Sequence, residues 1–265
     1  MGNIFKRSFS GLVYTALFVF SILYSQESYV LFVSILGLVC IWEFSRIIQF
    51  KSPISYLFFI AIVYLFIKRP NTYAIVFILG LTIYSSIVLI YELFMKKEIS
   101  FNKEREKFGL LIRYVVFSLS FIVLLPYSNG MYDEYLIIYI LILIWVNDSF
   151  AFLVGKNFGK RKLFESVSPK KTIEGFMGGV LFTIFSSFIL SIYNNNFTFL
   201  HWMIIALIIS TFGTIGDLIE SKFKRFANVK DSGNIMPGHG GILDRLDSLL
   251  FVAPFVYLYI KFIIN

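Results

Sequence analysis

Nine predominantly apolar stretches follow one another along the chain, near residues 10–25, 28–45, 54–68, 72–95, 109–127, 135–155, 175–193, 199–218 and 247–264. A helix that crosses the hydrocarbon core of a bilayer needs about 20 mostly apolar residues. The first and third stretches are shorter, and a tilted, interfacial or half-buried placement stays open for them. The pattern predicts an all-α, polytopic integral membrane protein with about nine transmembrane helices. Composition agrees, because 58% of the 265 residues are hydrophobic and 15% are charged. A soluble domain carries about 25% charged residues. A secreted domain, a disordered tail and an ordinary cytosolic enzyme are thereby excluded as first readings. A single Cys, Cys40, excludes a disulfide framework, and two His residues exclude most imidazole metal sites.

Charge then orients the chain. Lys6 and Arg7 precede the first stretch, and Arg46 and Lys51 follow the second. Lys96, Lys97, Lys103, Arg105 and Lys107 follow the fourth, and the loops 156–174 and 219–246 are also rich in bases. The intervening turns 24–28, 128–134 and 194–198 carry none. Bases accumulate on the cytoplasmic side of membrane proteins. The alternation places the N-terminus in the cytoplasm and the C-terminus outside, with Lys68 and Arg69 as the exception. Residues 1–130 read as N-terminal transmembrane helices without a catalytic motif, and 131–265 as a catalytic transmembrane domain.

The two long basic loops do not look like connectors, which in helical bundles usually run about 2–8 residues. The first is approached through Asp148, a carboxylate within an apolar run. Either it lies near enough to the interface to stay hydrated, or it faces a polar cavity and binds a cation or orients a base. The loop continues through Gly155, Gly159 and the run Ser168-Pro169-Lys170-Lys171-Thr172-Ile173-Glu174-Gly175. Ser168 is placed to cap the following helix, with Pro169 at its first position and Lys171 in its first turn. Amides at a helix start, with lysines beside them, suit a phosphate. The blander alternative is a basic anchor on lipid headgroups. Gly175, Gly178 and Gly179 also fit close helix packing in the bilayer.

The second loop places Asp217, Glu220 and Ser221 at i, i+3 and i+4, on one helix face. Asp244 and Asp247 are likewise three apart where the last apolar stretch begins. Carboxylates from two helices joined by a Gly-rich loop can converge on Mg²⁺, which takes oxygen ligands and keeps several waters. Lys224, Arg225, Lys230 and Arg245 supply phosphate partners around them. Acidic metal ligands ringed by bases suit phosphoryl or nucleotidyl transfer. Taken alone, Asp244-Arg245-Leu246-Asp247 could be a surface ion pair of small worth. His239 could be an ordinary loop histidine, a phosphate donor or a general base.

From Ser221 to Asp247 the residues Ser221, Lys224, Arg225, Lys230, Asp231, Gly233, Met236, Pro237, His239, Gly240, Gly241, Asp244, Arg245 and Asp247 keep a fixed spacing. That run resembles the signature of the phosphatidate cytidylyltransferase, or CDP-diacylglycerol synthase, family. Asp148-Ser149, Ala151, Ser168 to Thr172 and Glu174-Gly175 resemble its upstream segment, with Phe152 and Ile173 where Tyr and Trp are frequent. The resemblance is specific over residues 144–247. It implies condensation of CTP with phosphatidic acid into CDP-diacylglycerol and pyrophosphate, for phospholipid biosynthesis. It further implies Asp217 and Asp244 as ligands of Mg²⁺, with K⁺ as a second cation. Lys224, Arg225, His239 and Arg245 complete the implied catalytic group. Asp148, Ser168, Lys170, Lys171, Thr172, Glu174, Ser221, Lys222, Lys230, Asp231, Gly240, Gly241 and Asp247 form the implied substrate-binding set. The implied surroundings are the lipid bilayer, the inner membrane if the source is bacterial, with the site facing the cytoplasm and no nucleic-acid partner; a homodimer stays open. A CTP-dependent polyprenol or isoprenoid kinase is the nearest alternative. A cation-coupled transporter is a more distant one, weakened because the polar residues gather at one face and no inverted repeat is found.

Overall fold

A computed structural model describes residues 2–95, 103–194 and 196–264, with side chains from residue 9 onward. Lys96 and Lys97, and the side chains of Lys6 and Arg7, lie outside the described residues. The helices are α1 (Gly2–Tyr24), α2 (Gln26–Ile47), α3 (Pro53–Lys68), α4 (Thr72–Phe94), α5 (Glu104–Leu110), α6 (Phe117–Leu124), α7 (Glu134–Phe158), α8 (Ile173–Tyr193), α9 (Phe199–Phe226) and α10 (Leu243–Tyr259). A π-helical turn, Leu111–Val116, joins α5 to α6, so that Glu104–Tyr127 forms one span.

Among the described residues, seven helical segments are long and apolar enough to cross a membrane. The shorter apolar helices Phe9–Tyr24 and Pro53–Lys68 coincide with the first and third predicted stretches. Helix starts follow local chemistry. Ser25 and Ser28 form a reciprocal capping box at the head of α2. Asn71 accepts from the Ala74 amide at 3.1 Å, and Asp133 accepts from the Leu136 amide at 2.9 Å. Pro53 opens α3, where its missing N–H costs nothing.

The Glu104–Tyr127 span is central, with 83% of its apolar window buried against 22% for α8, which lies at the periphery. α7, α8 and α9 pack as neighbours, and α9 pairs with α10. Close approach of α8 to α7 depends on its glycines, because a Cβ on Gly178 would press into the Val154 side chain. The packing reading of those glycines therefore holds.

The loops sort to two ends of the bundle. At one end, Tyr132 donates to Ile22 O (2.9 Å), Tyr29 to Ile122 O (2.6 Å) and Asn196 to Asp133 (3.2 Å). Lys68 interacts electrostatically with Glu27 at this same end. At the other end, Lys107 reaches Gln49 O (3.4 Å), Lys222 reaches Glu92 O (2.9 Å) and Ser10 reaches Pro237 O (3.0 Å). The base-poor turns thus share one end and the basic loops share the other, as the charge alternation predicts.

Two local expectations are revised. The loop expected from residue 219 starts later, because α9 runs to Phe226; Asp217, Glu220 and Ser221 share a helix as their spacing predicts, and Lys224 is helical too. Ser168 does not cap α8. Lys162–Phe164 (β1) and Ser168–Thr172 (β2) instead form an antiparallel hairpin. The residue before a proline is pushed away from helical geometry, and a proline tolerates an edge strand. The cap moves to Thr172, whose Oγ1 accepts from the Gly175 amide at 3.1 Å. Lys170 and Lys171 therefore sit on a strand, not in a first helical turn.

Candidate active site

At the basic end, the C-terminal halves of α7 and α9, the first turn of α10 and the β1–β2 hairpin enclose a cavity of about 650 Å³. Several elements contribute to it. Asp148 comes from α7, and Lys170, Lys171 and Thr172 come from the hairpin. Asp217 and Lys224 come from α9, and Asp244, Arg245 and Asp247 come from α10. Asp231 reaches it from the loop between the last two helices. Much of the expected site is brought to one place. Asp148 is exposed and lines the cavity rather than packed hydrocarbon.

The charges are organised. Lys171 Nζ lies 2.5 Å from Asp217 Oδ2. Ser221 Oγ donates to the other oxygen of Asp217 at 3.2 Å, across one turn of α9. Lys224 Nζ bridges Glu220 Oε2 at 2.5 Å and Asp244 Oδ1 at 2.7 Å. Asp244 Oδ2 accepts from the Ser232 amide (2.9 Å), the Gly241 amide (2.8 Å) and lies 3.0 Å from Ser232 Oγ. Asp244 is thereby fixed by the loop that precedes it. Gly240 supports that loop with a φ of +90°, a conformation that favours glycine, and its carbonyl accepts from the Met236 amide.

Asp148 and Asp247 differ from these. Among the described residues, neither has a cationic side chain within ion-pair distance. Asp247 interacts electrostatically with both Asp148 and Asp217. Asp148, Asp217 and Asp247 thus bring three carboxylates to one cavity, with Lys171 paired to Asp217 and with Lys224 and Arg245 acting on the other two from a distance. This suits a hard cation. Among the described residues no three His, Cys, Asp or Glu side chains close on a metal position by themselves. A Mg²⁺ here would take its remaining ligands from phosphate oxygens and water, as that ion commonly does.

Other expected residues are placed around the cavity rather than in its wall. Glu174 accepts from the amides of Lys160 (2.9 Å) and Arg161 (3.1 Å), pinning the start of the hairpin to the head of α8. Lys222 points to α4, and Arg225 donates to Val229 O at 3.2 Å, closing the end of α9. Ser168 pairs with Phe164 in the hairpin, and Lys230 is exposed on the loop. Gly241 serves through its amide on Asp244. His239 lines an adjacent cavity of about 210 Å³ bounded also by Tyr14 of α1, with Nδ1 2.8 Å from Ser10 Oγ. Asp148, Asp244, Arg245 and Asp247 form the wall common to both cavities.

Sequence reasoning passed over Glu43 of α2, which is fully buried against the loop that holds Asp244. The signal was present, because an acid within an apolar span marks a functional candidate by default. It also passed over Ser10 and Tyr14, which carry no such signal.

Comparison with known proteins bears on this geometry. Residues 5–263 match the model of the cytidylyltransferase family. A phosphatidate cytidylyltransferase of Bacillus subtilis (strain 168) is 49% identical over 129 residues, 47% of this chain and 48% of that protein. A phosphatidate cytidylyltransferase of Staphylococcus aureus (strain COL) is 42% identical over 173 residues, 64% of each chain. The matched stretch thus spans about half of the first relative and under two thirds of the second. With the family model matching nearly from end to end, this chain belongs to the cytidylyltransferase family.

Proposed function

We propose that this protein transfers the cytidylyl group of CTP to phosphatidic acid, giving CDP-diacylglycerol and pyrophosphate. The observation that carries the reading is the single cavity in which hairpin lysines face carboxylates from three helices. Membership of the cytidylyltransferase family and the names of the two relatives support the choice of nucleotide and lipid.

In the reaction a phosphate oxygen of the lipid attacks the α-phosphorus of CTP. The bond between the α-phosphorus and its bridging oxygen breaks, and pyrophosphate leaves with that oxygen. The nucleophile already carries charge, so positioning and charge neutralisation supply the rate. Lys170, Lys171 and Arg245 provide cations on the cavity wall for phosphate oxygens. Lys171 would exchange its bond to Asp217 for a phosphate as substrate enters. Asp217, with Asp148 and Asp247 beside it, would hold a divalent cation; Asp244 would join through Oδ1, the oxygen it shares with Lys224. When bound, Mg²⁺ neutralises the phosphate oxygens and stabilises the departing pyrophosphate. A second, monovalent cation such as K⁺ belongs to the same acidic wall. The basic loops around the cavity support a cytoplasmic position for it, where a soluble nucleotide would meet a bilayer lipid.

The test uses the purified full chain in nanodiscs with CTP labelled in the cytosine ring, phosphatidic acid and Mg²⁺. Lipid-linked cytidine with release of pyrophosphate is the expected result. Release of CDP with phosphorylation of a polyprenol, and no cytidine in the lipid fraction, would overturn it in favour of a kinase.

A further inference from the structure

The head of α10 carries Asp244 in its first turn, yet its N-cap position, Ile242, has no side chain able to accept a hydrogen bond. The first amides of a helix need partners when buried. They find one about 200 residues upstream. Glu43 Oε1 accepts from the Ile242 amide at 3.1 Å, and Oε2 accepts from the Leu243 amide at 2.7 Å. Oε2 also lies 3.1 Å from Ser232 Oγ, the hydroxyl that sits 3.0 Å from Asp244 Oδ2. That hydroxyl has one proton, so it serves one carboxylate at a time and ties their placement together.

Glu43 is fully buried, one turn before the end of α2. Burying a carboxylate is costly unless donors surround it. Here two helix-head amides and a hydroxyl do so, and the N-terminal end of α10 favours a negative group. The loop is shaped to this carboxylate. A Cβ on Gly233 or on Gly241 would run into Glu43 side-chain oxygen atoms. Among the described residues, Glu43 lines neither cavity and forms no ion pair.

We propose that Glu43 is a positioning residue. It clamps the loop 230–241 to the first turn of α10 and so fixes Asp244 and Arg245 toward the cavity. The N-terminal helices thereby take part in the reaction without touching substrate. The kinetic part of this proposal rests on the cytidylyl-transfer reading; the clamp itself does not.

The experiment compares wild type, Glu43→Gln, Gly233→Ala and the double variant, each as the full chain in nanodiscs. Hydrogen–deuterium exchange is read on peptides covering 230–243 and, separately, 26–42. Turnover of CTP and phosphatidic acid is measured alongside. Glu43→Gln keeps one acceptor oxygen but places an NH₂ against the other donors. The expected result is faster exchange confined to 230–243 and a kcat lower by about 10–100-fold, the cost usual for a supporting partner. KM for CTP should shift by less than about threefold, because the binding lysines are untouched. Gly233→Ala should reproduce both effects without altering α2, and the double variant should be no worse than either single one. It also serves if Glu43→Gln fails to fold. Unchanged exchange at 230–243, loosening of 26–42 as large as that of 230–243, or losses that multiply in the double variant would each overturn the proposal. If wild type makes no lipid-linked cytidine, the transfer reading falls, and the exchange data still decide the clamp.

Discussion

Lys224 lies between two carboxylates that are nearly or fully enclosed, Glu220 and Asp244. A buried pair loses about 3–5 kcal/mol when one partner is removed, because the other charge stays behind unpaired. Lys224→Met should therefore lower thermal stability strongly. Adding Glu220→Gln should recover much of that stability without restoring turnover, which separates the two duties of the lysine; thermal unfolding and CTP turnover on the same preparations check it. Asp217 has a different part, since it faces the cavity with Lys171 and Ser221 as its close partners among the described residues. On the proposed function Asp217 would hold a cation, and loss of such a ligand removes several kcal/mol of charge stabilisation, which at 1.36 kcal/mol per tenfold is about 100-fold or more in rate. Asp217→Asn should show that drop, with the protein still inserted and with half-maximal activity moved to higher Mg²⁺. A Mg²⁺ titration of the variant measures both. The residue types for this site were legible in the sequence, because acids and bases are rare in apolar spans. Which acid meets which base was not: Lys171 and Asp217 are brought together by packing of a hairpin on a helix, and no local rule pairs them.

At the scale of elements, the hairpin and the head of α8 act as one piece. Thr172 caps the helix, and Glu174 returns to the amides of Lys160 and Arg161. Thr172→Ala should cost about 1 kcal/mol of stability, the usual value for a lost cap. Because Lys170 and Lys171 immediately precede the cap, KM for CTP should rise more than kcat falls; steady-state kinetics at fixed lipid checks this. The sequence placed a cap in this region but four residues early, at Ser168 rather than Thr172. Both are good capping residues, and the choice was decided by Pro169 and by pairing with Lys162–Phe164, a partner invisible to local reasoning. The last turn of α9 lay inside the expected 219–246 loop for a related reason. Hydropathy falls at Asp217, but the helix continues because Ser221 and Lys224 find partners one turn away and across to α10.

For the whole molecule, the two-ended sorting of loops makes a prediction about sidedness. Cys40 is buried and should give little background labelling. An impermeant maleimide on intact cells should label Met131→Cys, at an exposed position in a base-poor turn. It should label Glu165→Cys, exposed at the hairpin tip, only after the membrane is opened. Labelling of Glu165→Cys from outside would reverse the orientation. The apolar spans, the distribution of charge between the two ends and the spacing from Ser221 to Asp247 were all present in the sequence. They are readable there because the bilayer imposes its length and polarity along one dimension, residue by residue. Only the tertiary structure decided that Asp148, Asp217 and Asp247 share a wall, that Asp244 is held by a serine and two amides, and that Glu43 supports it from the opposite half of the chain. Those are meetings through space between helices distant in sequence. They are set by which faces bury together, a quantity that no window of sequence contains.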